Sequence, residues 1–328
     1  MSNTLTEFFY ALTPERVLDA VEVEGRRCTG RFIVLNSYEN RVYQLELDDG
    51  SFVVAKFYRP GRWSDDAILD EHDFLEDLEV SEVGVAGPLA VDGEETLSDV
   101  EGIRFSVCPR IGGRSPEDMT PEQLVDFGRA IARVHAVGSI DDAPHRIRMA
   151  PDTFGGEGLE VLREYDLVPP SVRDLYLDSA RRLIDRITPL FEGVPVQRIH
   201  GDCHLGNLLR TPAGLVFLDF DDMVVGPVVQ DLWLMIGGRD SWAQARQEQI
   251  LAGYESMADF DRSTLTLIEP LRAMRLIHFA AWLARRWEDP AFQIGFPGFG
   301  TEAWWAKALG DLREQAAVVE ESLSPWSV

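Results

Sequence analysis

His200-Gly201-Asp202-Cys203-His204-Leu205-Gly206-Asn207-Leu208-Leu209, followed by Leu215-Val216-Phe217-Leu218-Asp219-Phe220-Asp221-Asp222, is the stretch from which the rest of the chain is read. Polar side chains cluster there between two apolar runs. Phosphoryl transfer needs a carboxylate that orients and deprotonates an acceptor hydroxyl, and oxygen ligands for a Mg²⁺ ion bridging nucleotide phosphates. Asp202, Asn207 and Asp219 supply that set, Asp202 as catalytic base and Asn207 and Asp219 as metal ligands. A loop leaving one strand carries Asp202 to the acceptor and returns Asn207 to the metal; Asp219 arrives on the next strand. The consecutive apolar residues 215–218 predict a buried strand, where a carboxylate is costly unless a cation faces it, and Mg²⁺ is that cation.

Outward from this segment, the first part of the chain is strand-rich. Thr13-Pro14-Glu15-Arg16 predicts an N-cap with Pro in the first helical turn, opening a short helix to about Val21. Residues 31–36 and 41–47 are rich in β-branched and aromatic side chains, and Asp49-Gly50 is a hairpin turn into 52–58. Ser64-Asp65-Asp66 caps a helix whose apolar positions, Ile68, Leu69, Phe74, Leu75 and Leu78, follow a helical period. Residues 85–90 and 103–107 are expected to be strands, and Pro109-Arg110-Ile111-Gly112-Gly113 a connector, which puts a domain boundary near residue 110. Beyond it the pattern is mainly helical, over about 120–137, 171–190, 242–254 and 265–287, apart from a β-like insert at 197–199, 207–210 and 215–220 turned by Thr211-Pro212-Ala213-Gly214.

The 328 residues favour two lobes over one core, and 45% hydrophobic against 27% charged residues is the balance of a folded globular protein. A formal charge of −25, from 31 Lys+Arg and 56 Asp+Glu, repels phosphate backbones and anionic lipid headgroups, so neither nucleic acid nor a membrane is an expected partner. Residues 1–10 lack the pattern of a signal peptide, and no uncharged run approaches the about 18 residues needed to span a bilayer. Three cysteines, Cys28, Cys108 and Cys203, form no disulfide framework and point to a reducing, cytoplasmic setting.

Asp202-x-x-x-x-Asn207 with a downstream Asp219 resembles the catalytic loop and metal-binding aspartate of protein kinases, and His-Gly-Asp-x-His-x-Gly-Asn resembles the aminoglycoside and choline phosphotransferases. Leu35-Asn36-Ser37-Tyr38-Glu39-Asn40-Arg41-Val42-Tyr43, Lys56-Phe57-Tyr58-Arg59-Pro60 and Glu269-Pro270-Leu271-Arg272-Ala273-Met274-Arg275 extend the likeness over nearly the whole chain, to the bacterial stress response kinase A family. The resemblance implies an α+β, protein-kinase-like two-lobed fold. Residues 1–109 would be a small antiparallel β-rich lobe binding ATP, and 110–328 a larger, mainly helical lobe with the catalytic and substrate-binding groups. It also implies that Lys56 contacts the nucleotide phosphates and pairs with a glutamate of the following helix, Glu71 or else Glu76, and that Ser37 donates to phosphate. The expected enzyme is a monomeric, ATP- and Mg²⁺-dependent serine/threonine protein kinase of the stress response.

Three positions depart from the protein-kinase pattern. Asn36-Ser37-Tyr38-Glu39-Asn40 replaces a glycine-rich phosphate loop, so Ser37 and nearby amides must donate where glycine backbone would otherwise approach. Gly201 stands where many protein kinases carry the arginine that answers a phosphorylated activation loop. Asp219-Phe220-Asp221 replaces Asp-Phe-Gly, leaving Asp221 and Asp222 either to assist the metal or to stay solvated. Other constellations have plainer readings. His200, Cys203 and His204 lack a fourth ligand at zinc spacing; the two imidazoles are expected to brace the loop and Cys203 to pack as a small residue. Arg272, Arg275, Arg285 and Arg286, near Trp282 and Trp287, form ion pairs and packing or else a substrate patch. Two rival functions remain on the sequence: a kinase of an aminoglycoside, choline-like amine or homoserine, and a catalytically silent nucleotide-binding protein.

Overall fold

The structure is a computed structural model that describes residues 7–323 apart from 8, 11, 24, 92 and 94; the reading of the N-terminal segment 1–6 falls outside them. Along the chain the strands are β1 (Cys28–Leu35), β2 (Arg41–Leu47), β3 (Phe52–Phe57), β4 (Ser98–Val100), β5 (Ile103–Pro109), β6 (Gln197–Ile199), β7 (Leu208–Thr211), β8 (Gly214–Phe217) and β9 (Val224–Gly226). The helices are α1 (Pro14–Val23), α2 (Asp65–Val80), α3 (Pro121–Gly138), α4 (Glu157–Glu164), α5 (Pro170–Ile187), α6 (Gln230–Ile236), α7 (Ser241–Glu255), α8 (Ile268–Arg286), α9 (Pro290–Gly295) and α10 (Glu302–Ser322).

The chain forms two compact units, and neither is one continuous stretch. The first joins the residues up to Arg146 with His200–Met223 and Leu234–Ala258; the second joins Ile147–Ile199, Val224–Trp233 and the residues from Asp259. In the first unit an antiparallel sheet has the order β1-β2-β3-β5-β4. Alternation along β2, β3 and β5 sends Leu45, Ala55, Phe57, Phe105 and Val107 to one buried face, where α1 covers them with Val17 and Val21. Burial of each such large side chain contributes about 2 kcal/mol. Register across β2 and β3 pairs Val42 with Lys56, which sends the lysine to the opposite face.

Helix α2 starts where Ser64 accepts the Ala67 amide at 3.1 Å, and α3 where Thr120 and Gln123 cap each other. Helices α3 and α7 touch at their backbones. A Cβ on Gly128 would lie 2.1 Å from the Ile250 carbonyl oxygen, and one on Gly253 2.0 Å from that of Val125, so only glycine permits this approach. The second unit packs α4, α5, α8 and α10 together, with Trp305 of α10 fully buried against Tyr176 of α5, and carries the short β6–β9 pair. Arg272 lies 3.5 Å from Glu269 and over the Trp233 ring.

Several expected boundaries moved for identifiable reasons. Residues 85–90 are not a strand: Pro88 and the flanking Gly84 and Gly87 interrupt pairing, leaving a bond from the Leu89 amide to Val107, and the edge strand beside β5 is β4. The helix expected over 171–190 ends at Ile187, where Thr188–Phe191 tightens into a 3₁₀ turn around Pro189. The helix expected from 265 begins at Ile268, after a 3₁₀ turn over Arg262–Leu267. The strand expected over 215–220 stops at Phe217 because Asp219 is left-handed.

Candidate active site

The loop 200–207 is held by its own polar groups. His200 is fully buried; its Nε2 donates to the Leu218 carbonyl at 2.9 Å while its Nδ1 accepts the Asp202 amide at 3.4 Å. Gly201, between them, has φ of 86°, which lets the chain turn without the steric cost a Cβ would carry. Asn207 Nδ2 donates to the Asp202 carbonyl at 3.0 Å, so the amide's donor end is fixed and Oδ1 is the end left for a cation. The Asn207 carbonyl accepts the Leu218 amide at 2.8 Å, tying the loop to the segment that carries Asp219. Asp202 is 24% exposed, and its Oδ2 lies 3.4 Å from His204 Nε2. His204 Nδ1 accepts the Gly206 amide at 3.0 Å, which in the neutral ring puts the proton on Nε2, facing that carboxylate.

Asp219 adopts φ 60° and ψ 68°, a conformation that costs a non-glycine residue on the order of 1 kcal/mol or more. The outlier ends β8 and turns the aspartate into a cavity of about 370 Å³ lined also by Ser37, Lys56, Glu71 and Asn207. Its side chain is exposed to that cavity, yet loss of bulk solvent pushes its carboxyl above the usual range, with Lys56 opposing and Asp221 and Glu71 adding to the rise. Asp202 is not among the residues lining this cavity.

Lys56 Nζ bonds Glu71 Oε1 at 2.6 Å, both side chains being nearly enclosed, at 14% and 1% exposure. Glu71, not Glu76, is therefore the paired glutamate; Glu76 lines a separate cavity beside α2. Burial disfavours the ammonium, but Glu71 above all, then Tyr58, Asp221 and Asp219, hold it protonated well above the ordinary lysine range. Lys56→Met is expected to leave the Glu71 carboxylate buried without its cation and to lower stability by about 3 kcal/mol, read from the urea midpoint; an unchanged midpoint would show that the pair contributes nothing to folding.

Ser37 accepts the Asn40 amide at 3.2 Å and so shapes its own loop. The loop is anchored from outside by Arg59, which donates to the Glu39 carboxylate at 3.0 Å and to the Tyr38 and Glu39 carbonyls at 2.9 Å. Sequence reading missed Arg59, although its place in Lys56-Phe57-Tyr58-Arg59-Pro60 was in view. It also missed Arg62, which is paired with Asp221 and Asp222. Burial acts against the Asp221 charge, but Arg62, Lys56, Arg146 and a hydrogen bond from Asn40 outweigh it and hold the carboxyl below its usual range. The Asp222 side chain is half-exposed; partial loss of solvent, with Asp221, Asp202 and Asp219 nearby, still outweighs Arg62 and pushes the carboxyl up to about 6. Burial also pushes the Cys108 thiol, in the cavity wall, up to about 12, an inert state.

Behind Lys56 runs a buried polar chain. Lys56 Nζ lies 4.7 Å from the centre of the Tyr58 ring, whose hydroxyl contacts His72 Nε2 at 2.9 Å and Ser106 Oγ at 3.1 Å; His72 Nδ1 meets Thr96 Oγ1 at 2.7 Å. Burial first, then Lys56 and Arg146, lowers the His72 pKa to about 3. The unfolded chain therefore binds one more proton than the native state between about pH 6.5 and 3. Stability is full above 6.5 and is expected to fall by about 1.4 kcal/mol per pH unit as the pH drops through that window. His72→Gln should flatten this slope by one proton in urea titrations at stepped pH, and an unchanged slope would remove His72 as its source.

The donor chemistry at the cavity is that of a nucleotide-bound divalent cation, not of a closed metal cage. Among the described residues no three His, Cys, Asp or Glu side chains are grouped to hold a metal. Asp219 and Asn207 offer two hard oxygens beside the Lys56 ammonium, and Mg²⁺ in phosphate sites is held by one or two carboxylates, with phosphate oxygens and water completing the shell. The residues fit Mg²⁺ brought with a polyphosphate.

This sheet, helix set and cavity define a kinase-like phosphotransferase fold. Among solved structures, an amicoumacin kinase in complex with AMP-PNP, Ca²⁺ and Ami superposes with a TM-score of 0.76 at 18% identity, covering 92% of this chain and 93% of that one. A microcompartment-associated aminopropanol kinase superposes with a TM-score of 0.70 at 20% identity, covering 95% and 98%. Residues 32–268 match the phosphotransferase enzyme family. Stress response kinase A of Escherichia coli K12 is 40% identical over 314 residues, 95% of each chain, and the serine/threonine protein kinase RdoA of Salmonella typhimurium LT2 is 37% identical over the same share. The chain belongs to the phosphotransferase enzyme family and, within it, to the stress response kinase A family. Among its described residues no helix is long and apolar enough to cross a membrane.

Proposed function

We propose that this protein transfers the γ-phosphoryl group of ATP, carried with Mg²⁺, to a serine or threonine hydroxyl of a protein. The observation that supports this most is the joining, around one cavity, of the Lys56–Glu71 ion pair with Asn207 and Asp219, next to an Asp202 that opens elsewhere. Lys56 contacts the nucleotide phosphates, and Glu71 fixes the lysine's position. Ser37 and the amides of its loop, braced by Arg59, close over the phosphates. Asn207 and Asp219 hold the cation, which when bound neutralises charge on the phosphates. Asp202, its Oδ2 lying 3.4 Å from His204 Nε2, takes the acceptor proton, and the hydroxyl attacks in line. Residues 1–109 supply the nucleotide-binding lobe and 110–328 the catalytic and substrate-binding lobe of a cytoplasmic monomer.

A protein acceptor is favoured over a small molecule by the 37% identical relative that bears the name serine/threonine protein kinase. The fold neighbours bear the names amicoumacin kinase and aminopropanol kinase, so the acceptor is the point to test. Radiolabelled ATP is offered with a generic basic protein and, separately, with a panel of aminoglycosides and amino alcohols. Label in the protein band is expected; label on a small molecule alone would replace the proposal with its rival, and label on neither would favour a silent nucleotide binder.

A further inference from the structure

Arg62 has no part in the mechanism above, yet it is built into the site. It follows β3 in the turn Pro60-Gly61-Arg62-Trp63, its side chain is 11% exposed, and its two terminal nitrogens contact Asp221 and Asp222, 159 and 160 residues away in sequence. The indole of Trp63 lies against both guanidinium groups at this place, 5.3 Å from Arg62 and 4.2 Å from Arg146. Arg146 holds the backbone of the same segment through the carbonyls of Phe220, Asp221 and Met223 at 3.3, 2.6 and 2.8 Å. One arginine fixes the peptide frame, and the other faces its carboxylates.

Those carboxylates need an answer. Residues 219–222 carry three of them in four positions. Asp221 is 2% exposed, and its Oδ1 has no hydrogen-bond partner; Lys56 Nζ lies 3.9 Å from it but is engaged by Glu71 at 2.6 Å. Left bare, Asp221 and Asp222 are hard oxygen ligands beside Asp219 and compete with it for any divalent cation.

We propose that Arg62 is a positioning residue that screens Asp221 and Asp222, so that Asp219 is the carboxylate of this segment presented to a nucleotide-bound cation. This rests on the reading of Asp219 as a metal ligand and adds to it a device that keeps a metal from settling away from the phosphates. A guanidinium suits the task because its planar fork spans two carboxylates at once and keeps its charge at every physiological pH.

The test uses Mn²⁺ as probe, titrated into the full chain without nucleotide and followed by the electron spin resonance of free Mn²⁺. Arg62→Ala is expected to gain a Mn²⁺ site about tenfold or more tighter than any in the wild type, while lowering kcat by a similar factor. Arg62→Lys, which keeps the charge and loses the fork, should fall between the two. Arg62→Ala combined with Asp221→Asn and Asp222→Asn should return Mn²⁺ binding to the wild-type level. A purely structural arginine would lower the melting temperature and activity without creating a metal site. Overlaid Mn²⁺ titrations for wild type, Arg62→Ala and Arg62→Lys, or a new site that survives loss of both aspartates, would overturn the proposal. If Arg62→Ala does not fold, Arg62→Gln is read against the same outcomes. Asp219→Asn, measured alongside for Mg²⁺-ATP affinity, separates the two ideas: undiminished affinity there defeats the metal-ligand reading, whereas overlaid Arg62 titrations with impaired Asp219→Asn defeat the screening role alone.

Discussion

Asp202→Ala should reduce phosphoryl transfer by about 10³-fold, roughly 4 kcal/mol of transition-state stabilisation, while leaving ATP affinity at the wild-type value. The split follows from geometry: Asp202 does not line the cavity shared by Lys56, Asn207 and Asp219, and its side chain, 24% exposed, lies 3.4 Å from His204. The bonds that fix the loop use its main chain, through the carbonyl to Asn207 and the amide to His200, so the truncation leaves the loop framed. Steady-state assays with ATP titrated calorimetrically read both halves. Activity within a few-fold of wild type would remove Asp202 as the base, and a parallel loss of ATP affinity would place it in nucleotide binding instead.

Asp219→Asn should cost about tenfold to a hundredfold in affinity for Mg²⁺-ATP and about 10³-fold in turnover, while metal-free nucleotide binds as before. Asparagine is the informative replacement because it tolerates the left-handed backbone at φ 60°, whereas alanine would add about 1 kcal/mol of backbone strain to the loss of charge. Stability should move the other way. Asp219 lies among Asp221 and Glu71, and relief of that repulsion raises the melting temperature of the variant to or above the wild type. A variant with intact Mg²⁺-ATP affinity would exclude Asp219 as a ligand; a large drop in melting temperature would mean that its charge is needed for folding.

What the sequence made legible was the chemistry that is local in the chain. Asp202, Asn207 and Asp219 fall within 18 positions, and an apolar run on each side is enough to infer a loop between strands. Lys56 was legible because residues 53–55 are apolar and two aromatics follow, a setting that encloses a stem. The choice between Glu71 and Glu76 was not, since both lie on α2 and helical phase relative to a distant strand is set by packing. Arg62 was invisible for a related reason: in Pro-Gly-Arg-Trp it reads as an exposed turn residue, and its partners come 159 residues later. Asp219 hid its bend, because an apolar run predicts that a strand continues and carries no signal for a left-handed residue at its end. Helix α10 was passed over although 21 residues long, its apolar stripe being interrupted by paired alanines and acids.

The discontinuity of the first unit has a consequence for synthesis. Its sheet, α2 and Lys56 leave the ribosome early, but residues 200–223, which carry Asp202, Asn207 and Asp219, follow more than 50 residues assigned to the other unit, and α7 comes later still. A nascent chain released before about residue 258 therefore exposes the α3 surface that α7 covers at Gly128 and Gly253, a surface for chaperones to hold. Truncation from the C-terminal side then removes Asp202, Asn207 and Asp219 long before it reaches the five-stranded sheet.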